Sequence, residues 1–433
     1  MRVPPQAVTA LRILEINGRQ AFIVGGAVRD MAAGLPCPAD WDIATDAPAR
    51  DVLSLFSAYR VIETGLKHGT VTVIVDGLPM EITTFRGEKA TLEGDLALRD
   101  FTINALAWSP ESGIIDPFGG LDDIRTRTLR AVGSAEARMR EDPLRILRAM
   151  RFASQMAFTM DGETAAMTHA LRHLLANVAV ERIRTELTKT FCGRNAGPVL
   201  RRHPDVMATV IPETAPMIGL DQRNPYHCRD VWDHTVEVLA NTPADPVLRW
   251  AAFFHDMGKP DTFTVDAKGI GHFHGHPLAS MRHAEEIMDR LKFDSDSREK
   301  ILFLVGHHDV QMPVTVRGAK KAMQTFGLGP LRQLIPLIRA DAMGQSALAA
   351  PRLERCGKFS ALLAQAEKEN GAFSRADLAV NGDDIAALGF KGREIGRMLE
   401  TLVSRVVFEG LANERDALLA YAKSADADRT GKG

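Results

Sequence analysis

Residues 21–48 read AFIVGGAVRDMAAGLPCPADWDIATDAP and decide the fold of the N-terminal part of the chain. An apolar run, two glycines, a helical stretch that stops at a glycine and a second apolar run predict a strand, a turn, a helix and another strand. Asp40 and Asp42 are two apart, so on a strand they share one face while Trp41 and Ile43 face the core. The pair predicts either a turn at a strand edge or a site for a cation such as Mg²⁺.

The glycine pair Gly25-Gly26 lies between the first predicted strand and the helix. Such a turn exposes backbone N–H groups to an anion and lets a phosphate approach closely, and Arg29 can add a charged hydrogen bond. A tight strand-to-helix turn without a ligand is the alternative. The stretch lacks the GK[ST] and GxGxxG patterns, which excludes the Walker and dinucleotide-binding loops.

The pattern of apolar runs predicts an α+β fold. Strand-like runs continue through WDIA, YRVIET, TVTVIVD and LPMEITTF, the last two joined by a hairpin signal at Asp76-Gly77, and then through FTINALAW and GIIDPFGG. Beyond about residue 121 nearly all the periodicity is helical. A head with a mixed sheet is therefore expected to precede an all-α neck, body and tail. The expected domains are residues 1–120, 121–222, 223–347 and 348–433.

The overall composition is that of a soluble globular protein. The chain has 433 residues and a formal net charge of −2, so a nucleic-acid partner must be held by local basic patches. Four scattered cysteines without a CxxC pair fit a reducing compartment. The sequence shows neither a signal peptide nor an apolar span long enough for a membrane. We therefore expect a cytoplasmic protein that does not associate with a membrane and has no stable protein partner.

Further along, Glu81 is the only charge on the predicted strand MEITTF. It shares a face with Thr83 and Phe85, opposite Met80 and Ile82. Glu81 is either a third carboxylate beside the metal or an exposed strand residue.

The segment 121–151 contains eight arginines, five acids and no lysine. Within EDPLRILR, Asp142 and Arg145 are three apart and are expected to share a helix face, with Pro143 in the first turn. An aspartate accepts and an arginine donates, so the two can complement the edge of a base. A solvated, salt-bridged helix face is the alternative.

Seven segments in one order carry a family resemblance: GGAVRD, DWDIATDAP, TGLKHGTV, EITTFR, LRDFTINALA, IIDPFGG and EDPLRILRAMRF. The series resembles the bacterial class II tRNA nucleotidyltransferases, which are the CCA-adding enzymes and the related poly(A) polymerases. This resemblance implies a polymerase-β-like head, with Mg²⁺ on Asp40 and Asp42 and two-metal transfer of a nucleotide from CTP and ATP to tRNA.

The resemblance also implies roles for individual residues. Asp142 and Arg145 would read the incoming base, and Arg99 and Asp100 match the motif that recognises the ribose. The residues implied for nucleotide binding are Gly25, Gly26, Arg29, Arg99, Asp100, Asn104, Asp142, Arg145 and Arg148.

Two departures from the family pattern bear on the product. Leu98 stands where the family usually has an arginine, and only residues 87–94 (GEKATLEG) separate the TFR and LRDFT motifs. In the family a longer loop there helps to switch from CTP to ATP, and a short loop is typical of enzymes that add only CC. CC-only or A-only addition and a poly(A) polymerase therefore stay open beside full CCA addition.

The middle of the chain contains HCRDVWDHT, LRWAAFFHDMGKP, GHFHGHPLAS, LVGHHD and IRADAMGQ. Imidazole and carboxylate ligands together suit Mn, Fe, Ni, Mg or Zn, and the pattern resembles the HD phosphohydrolase superfamily. The predicted ligands are His234, His255, Asp256, Asp341, His276 and His308. His283 and His307 are expected to be satisfied histidines instead. The domain is either a phosphohydrolase or a scaffold, and an HD phosphohydrolase with an RNA-binding head is a further alternative.

The tail segment VNGDDIAALGFKGREIGRMLETL (380–402) has Gly389, Gly392 and Gly396 around a basic turn with Lys391 and Arg393. Exposed amides and two cations there can hold an RNA phosphate without reading sequence. An ordinary helix–turn–helix is the alternative. The segment also resembles the tRNA-binding tail of the family.

Overall fold

A computed structural model describes residues 3–36, 40–87, 90–369 and 374–430 of the chain. The polypeptide divides into two compact units, Met1–Pro212 and Glu213–Gly433. The finer division into four domains stays a prediction. Of the stretches quoted above, residues 37–39 and residues 88–89 of the short loop lie outside the described part.

The first unit combines strands and helices. Its strands are β1 Ala21–Val24, β2 Trp41–Thr45, β3 Arg60–Ile62, β4 Thr70–Val75, β5 Leu78–Thr84, β6 Ala107–Ser109, β7 Gly113–Ile115, β8 Thr128–Leu129 and β9 Thr159–Met160. Its helices are α1 Pro5–Ile16, α2 Gly26–Ala32, α3 Ala49–Leu55, α4 Leu92–Ala97, α5 Gly120–Thr126, α6 Ala135–Glu141, α7 Arg145–Met156, α8 Gly162–Ala170, α9 Val180–Phe191, α10 Ala196–Arg202 and α11 Pro204–Val210. Short 3-10 turns span Leu66–His68, Thr102–Asn104 and Arg172–Asn177.

Seven strands form one mixed sheet in the order β3-β4-β5-β2-β1-β6-β7. The β2–β5 pair is parallel and the other pairs are antiparallel. Asp76 and Gly77 join β4 to β5 with φ of 45° and 83°, the left-handed conformation that a two-residue hairpin turn requires. The expected mixed-sheet head and its hairpin are confirmed.

One face of the sheet carries the main core of the head. Trp41 and Ile43 are 2% and 0% exposed and belong to the same buried cluster as Leu11 of α1 and Phe56. Because side chains alternate along a strand, Asp42 lies on the other face, where the apolar cluster is smaller. This alternation leaves space for polar side chains on that face of the sheet.

Two expectations about elements are wrong. The run FTINALAW contains a 3-10 turn at Thr102–Asn104, and only its end joins the sheet as β6. The helix expected to contain both Asp142 and Arg145 is broken, because α6 ends at Glu141 and Asp142 is extended, with φ −139° and ψ 98°. Pro143 explains the break, since the residue before a proline is disfavoured in the helical conformation.

The second unit is almost entirely helical, which confirms the α+β architecture expected for the chain. Its helices are α12 Val231–Asn241, α13 Pro246–Phe254, α14 Lys259–Thr262, α15 His276–Arg290, α16 Ser295–His307, α17 Val316–Phe326, α18 Leu328–Gly344, α19 Ala350–Glu369, α20 Gly382–Ala386, α21 Arg393–Glu409 and α22 Arg415–Thr430. The strands β10 Thr264–Val265 and β11 Gly271–His272 form a small hairpin. Further 3-10 turns span Pro212–Met217, Ala347–Ala349 and Arg375–Asp377. Within the described ranges, every helix is too short or too polar to cross a bilayer.

Candidate nucleotide site and metal centre

Three carboxylates meet at β2 and β5. The register pairs Asp42 with Glu81 on the neighbouring parallel strand, and Asp40 directly precedes β2. Burial raises the pKa of Asp42; Arg99 opposes this shift, whereas Glu81 and Asp40 add to it. A carboxylate that is partly buried beside two others suits a divalent cation, which would compensate the crowded negative charge.

The glycine turn brings an arginine against this group. Gly25 has φ +73°, and a Cβ there would lie 2.5 Å from Arg99 Nη1 and 3.8 Å from Asp42 Oδ2. The guanidinium of Arg99 also lies 3.4 Å from Asp95 Oδ2. Gly25 is therefore required both for its backbone conformation and for the position of Arg99 beside Asp42.

A hydrogen-bonded chain links the remaining predicted residues of the head. Arg29 Nη1 donates to Asn104 Oδ1 at 2.6 Å, and Asn104 Nδ2 donates to Asp100 Oδ1 at 2.9 Å. Arg148 Nε donates to Asp100 Oδ2 at 2.8 Å. Burial acts to raise the pKa of Asp100, but Arg148 and the hydrogen bonds outweigh it and hold this pKa below its ordinary value. Asp100 is thus an ionised acceptor that fixes two of the site's donors.

Asp142 and Arg145 line the same cavity without sharing a helix, which corrects the expected geometry. Asp142 precedes α7 and accepts a hydrogen bond from Arg182 Nη2 at 3.0 Å. Arg145 Nη2 donates to the carbonyl of Leu98 at 2.8 Å. The proline break places the aspartate on an extended residue and the arginine on the first turn of the next helix.

These residues surround a cavity of about 560 Å³, a volume within the usual range for small-molecule sites. The cavity is lined by Gly26, Ala27, Arg29, Asp30, Asp40, Asp42, Arg86, Leu98, Arg99, Asp100, Asn104, Asp142, Arg145, Arg148, Arg151, Phe152, Gln155 and Arg182. Every residue predicted for the head site is in this lining except Gly25 and Glu81. The arginines make the cavity suitable for a polyanion such as a triphosphate.

Sequence reasoning missed eight of the lining residues as members of the site, namely Ala27, Asp30, Arg86, Leu98, Arg151, Phe152, Gln155 and Arg182. Arg86 is held by Asp95, with Nε to Oδ1 at 2.7 Å. Arg151 and Phe152 are in the EDPLRILRAMRF motif, whose position alone could have indicated them. Arg182 is on α9, forty residues from its partner, and no local pattern marks it.

The second unit gathers all six predicted metal ligands. His234, His255 and Asp341 form one group, and Asp256, His276 and His308 form another, each with its ligand atoms within 4.8 Å of one another. Asp256 Oδ2 also lies 3.1 Å from His255 Nε2 and 3.3 Å from His234 Nε2, so the two groups adjoin. The arrangement fits two neighbouring divalent ions.

Backbone carbonyls orient the imidazoles. Nδ1 of His255, His276 and His308 donates to the carbonyls of Ala252, Phe273 and Val305 at 2.7, 2.9 and 2.7 Å. With Nδ1 as the donor, each Nε2 carries its lone pair into the site, which is the arrangement that metal-binding histidines require. Nε2 of His276 and His308 lie only 3.1 Å apart, a contact between two acceptors that a shared cation would relieve.

Two cations near this centre were not anticipated. Lys259 Nζ lies 2.7 Å from Asp256 Oδ2, and Arg352 Nη1 donates to Asp341 Oδ2 at 2.7 Å. Burial acts to raise the pKa of both carboxylates, but His255 and Lys259 at Asp256, and Arg352 at Asp341, hold each pKa well below its ordinary value. Both carboxylates are therefore ionised and ready to bind metal.

A cavity of about 290 Å³ opens onto this centre. Its lining includes Lys259, Arg352, His227, His272 and His274, all of which lie outside the six predicted ligands. A phosphate group fits a small polar cavity with two cations and two candidate ion positions.

The histidines set aside from the metal sites are satisfied elsewhere. His283 Nε2 lies 2.7 Å from Asp261 Oδ2, and His307 Nδ1 donates to the carbonyl of Phe303 at 2.7 Å.

In the tail, Gly389 and Gly392 have positive φ, whereas Gly396 lies inside α21. The expected phosphate contact at Lys391 and Arg393 stays a prediction.

Comparison with known families covers most of the chain. Residues 21–130 match the "Poly A polymerase head domain", residues 157–217 match the "Probable RNA and SrmB-binding site of polymerase A", and residues 226–343 match the "HD domain". The cavity of about 560 Å³, called the nucleotide cavity below, is lined mainly by residues of the head-domain match. The paired metal groups lie within the separate HD-domain match.

Individual relatives agree with these matches. A CCA-adding enzyme of Lactobacillus delbrueckii subsp. bulgaricus is 38% identical over 56% of this chain, and the chain spans 65% of that protein's length. A CCA-adding enzyme of Latilactobacillus sakei subsp. sakei is 30% identical over 96% of this chain and 97% of its own. The crystal structure of the Bacillus stearothermophilus CCA-adding enzyme in complex with CTP superposes with a TM-score of 0.69 and 26% identity over 100% of both chains.

Proposed function

The chain belongs to the family of bacterial CCA-adding enzymes, and from this premise we propose that it adds the 3′-terminal CCA of tRNA from CTP and ATP. The observation that carries the proposal is the cavity of about 560 Å³ that joins Asp40 and Asp42 to Asp142 and Arg145. It places candidate metal-binding carboxylates and candidate base-reading groups around one space. Since its proposed substrate is tRNA, we further propose that the protein acts in the cytoplasm.

The carboxylates and the arginines divide the chemistry of the transfer. We propose that Asp40 and Asp42, with Glu81 behind them, hold Mg²⁺. When bound, Mg²⁺ supplies charge stabilisation at the triphosphate and activates the attacking 3′-hydroxyl. Arg29 and other lining arginines bind the phosphates and fix the triphosphate for in-line displacement.

The base is selected by groups that already have partners. Asp142 accepts from Arg182, and Arg145 donates to the carbonyl of Leu98. An incoming base therefore exchanges these contacts for its own donor and acceptor, without a nucleic-acid template. Asp100 holds Arg148 on the ribose side of the cavity, and Asn104 holds Arg29 in place for the phosphates.

The test uses tRNAs that end before CCA, after C and after CC, with CTP and ATP supplied separately and together. We expect CTP alone to add two nucleotides to the first RNA, and both nucleotides to complete CCA. Addition that stops at CC would identify a CC-adding enzyme, in agreement with the shortened segment 87–94. Addition of long adenosine tails would identify a poly(A) polymerase. Failure to extend any of these RNAs would refute the proposal.

A second function is favoured by the paired groups of the second unit. Two sets of ligands with inward-facing Nε2 atoms, together with Lys259 and Arg352, fit a metal-dependent phosphohydrolase. Mn, Ni, Fe and Mg all suit these nitrogen and oxygen ligands. We propose that this centre hydrolyses phosphoesters at RNA ends, where one water either releases phosphate from a 3′-phosphate or opens a cyclic phosphate to a phosphomonoester.

Metal content measured by mass spectrometry tests this second function. The full chain is expected to bind two ions in this unit, and His276→Ala/His308→Ala should remove one of them and abolish phosphate release. His283→Ala is the matched control, because His283 pairs with Asp261 away from the two ligand groups. Unchanged metal content in the double variant would contradict the assignment.

A further inference from the structure

The neck contains a second cavity, of about 500 Å³, that shares no lining residue with the nucleotide cavity. It lies among the end of α7, β9, α8 and α10. Its lining is Ala153, Ala157, Phe158, Thr159, Met160, Ala165, His169, Asn195, Pro198, Val199, Arg202 and His203. The space is therefore large enough for a nucleotide-sized ligand.

Two stacked imidazoles form a flat polar wall of this cavity. The rings of His169 and His203 have centroids 4.7 Å apart and an interplanar angle of 26°. Nδ1 of His169 lies 2.9 Å from Asp205 Oδ1, and Arg172 Nε lies 3.3 Å from Asp205 Oδ2. The plane of His169 is thus fixed by an ion-paired carboxylate before any ligand arrives.

His203 is buried without a charge. It is 5% exposed, and burial lowers its pKa to about 4, so its ring is neutral at pH 7. Its Nδ1 has no hydrogen-bond partner among the described residues. A neutral imidazole offers one donor and one acceptor, as the edge of a base does, whereas exposed Arg202 supplies positive charge nearby.

The cavity persists because small side chains line it. Three of the lining residues are alanines: Ala153 lies in α7, Ala157 directly follows α7 and Ala165 lies in α8. Larger apolar side chains at such positions would gain contacts and stabilise the protein, since unfilled space forfeits dispersion energy. An unfilled cavity with a flat polar wall and an adjacent cation is typical of a binding site rather than of a packed core.

We propose that this neck cavity binds an unstacked nucleobase, with the attached phosphate on Arg202. Aromatic rings bind bases of any sequence by stacking, and a guanidinium binds the phosphate. All lining residues except Ala153 lie within residues 157–217, the match described as a probable RNA-binding site. The inference goes beyond nucleotide addition, because it concerns how the RNA is held away from the transfer site.

Ala165→Leu fills the cavity without removing a polar group, and Ala166→Leu is its matched control. Ala166 is the next residue of α8 and is exposed. For the full chain and a tRNA lacking CCA, Ala165→Leu is expected to raise the RNA dissociation constant by about fivefold or more, as expected for one lost base stack. Ala166→Leu should leave it unchanged, and both variants should keep the wild-type affinity for CTP.

Arg202→Gln tests the phosphate contact independently of packing. It is expected to weaken RNA binding and to lower the slope of log affinity against log salt by about 1. Equilibrium dialysis with CMP and AMP identifies the source of the base. A second equivalent of nucleotide that disappears in Ala165→Leu would indicate a free nucleotide, and unchanged stoichiometry with weakened RNA binding would indicate a base of the RNA.

The proposal is overturned if Ala165→Leu and Arg202→Gln both leave RNA affinity, its salt dependence and nucleotide stoichiometry at wild-type values. RNA binding is measured without catalysis. A chain that failed to extend tRNA could therefore still confirm this site, and an active enzyme could still refute it.

Discussion

His203 shows how a single buried imidazole couples the stability of the folded protein to pH. Its pKa is about 4 in the folded protein and 6.5 in an unfolded chain, because burial disfavours the charged ring. The unfolded state therefore takes up a proton first as the solution is acidified. The stability that depends on the neutral ring is complete above pH 6.5 and is lost as the pH falls from 6.5 towards 4.

Acidification from pH 7 to 5 is therefore predicted to cost the wild type about 2 kcal/mol of unfolding free energy through His203. His203→Phe keeps an aromatic ring but cannot take up a proton, so its stability should fall less over the same interval. Urea unfolding at both pH values measures the difference. His173→Phe, at an exposed position, should behave as the wild type. Equal losses in the wild type and His203→Phe would contradict the assigned shift.

The pKa of Asp42 is shifted in the opposite direction to that of His203. Burial, Glu81 and Asp40 raise its pKa, and Arg99 and Arg86 compensate only in part. The crowding is a cost to the metal-free protein that a bound cation would remove. A site of this kind is built for a ligand rather than for stability.

Among the elements, the turn between β1 and α2 controls the nucleotide site. Gly25 and Gly34 both have positive φ, but only Gly25 has close neighbours, because a Cβ there would meet Arg99 at 2.5 Å whereas Gly34 faces open space. Substitution of either glycine by alanine strains the backbone, but only the substitution at Gly25 also displaces Arg99. Comparing the two variants therefore distinguishes the two effects.

Gly25→Ala is predicted to displace Arg99 from Asp42 and to raise KM for CTP by about tenfold or more, because a charge-assisted contact to the nucleotide is lost. Gly34→Ala introduces similar backbone strain, of about 1 kcal/mol, without that displacement. It should therefore lower thermal stability while keeping KM. Steady-state incorporation assays on the two variants measure the effect. Equal KM values would show that Arg99 is not positioned by Gly25.

How much of these elements the sequence could predict depends on the range of the interactions. Period-two alternation placed Asp42 opposite Ile43, and the Asp76-Gly77 signal placed the hairpin correctly. The break at Asp142 was also encoded locally, by Pro143, but the strong helical periodicity on both sides concealed it.

The long-range partners could not be predicted in this way. Arg182 reaches Asp142 across forty residues, and Arg352 reaches Asp341 through packing of α19 against α18. The orientation of the metal-site imidazoles likewise depends on carbonyls whose positions only the folded helices define. The order of the motifs identified which residues come together in each site. The side chains and carbonyls that orient these residues depend on the tertiary fold.

Across the whole molecule, each of the two units carries its own candidate sites for phosphate chemistry. The first has the nucleotide cavity and the neck cavity, and the second has the paired metal groups. Nucleotide transfer should therefore depend on the carboxylates of the first unit and proceed without the histidines of the second. An HD phosphohydrolase with a merely RNA-binding head predicts instead that Asp40→Ala leaves the main activity of the protein intact.

Incorporation of labelled CMP into a tRNA lacking CCA, compared between Asp42→Asn and His255→Ala, is the most direct test. Asp42→Asn removes a metal-binding charge at the reacting centre and should lower the rate at least ~100-fold, which corresponds to the several kcal/mol that such metals contribute. His255→Ala should incorporate CMP at close to the wild-type rate. Full activity of Asp42→Asn, or loss of incorporation in His255→Ala, would contradict the assignment of nucleotide transfer to the head.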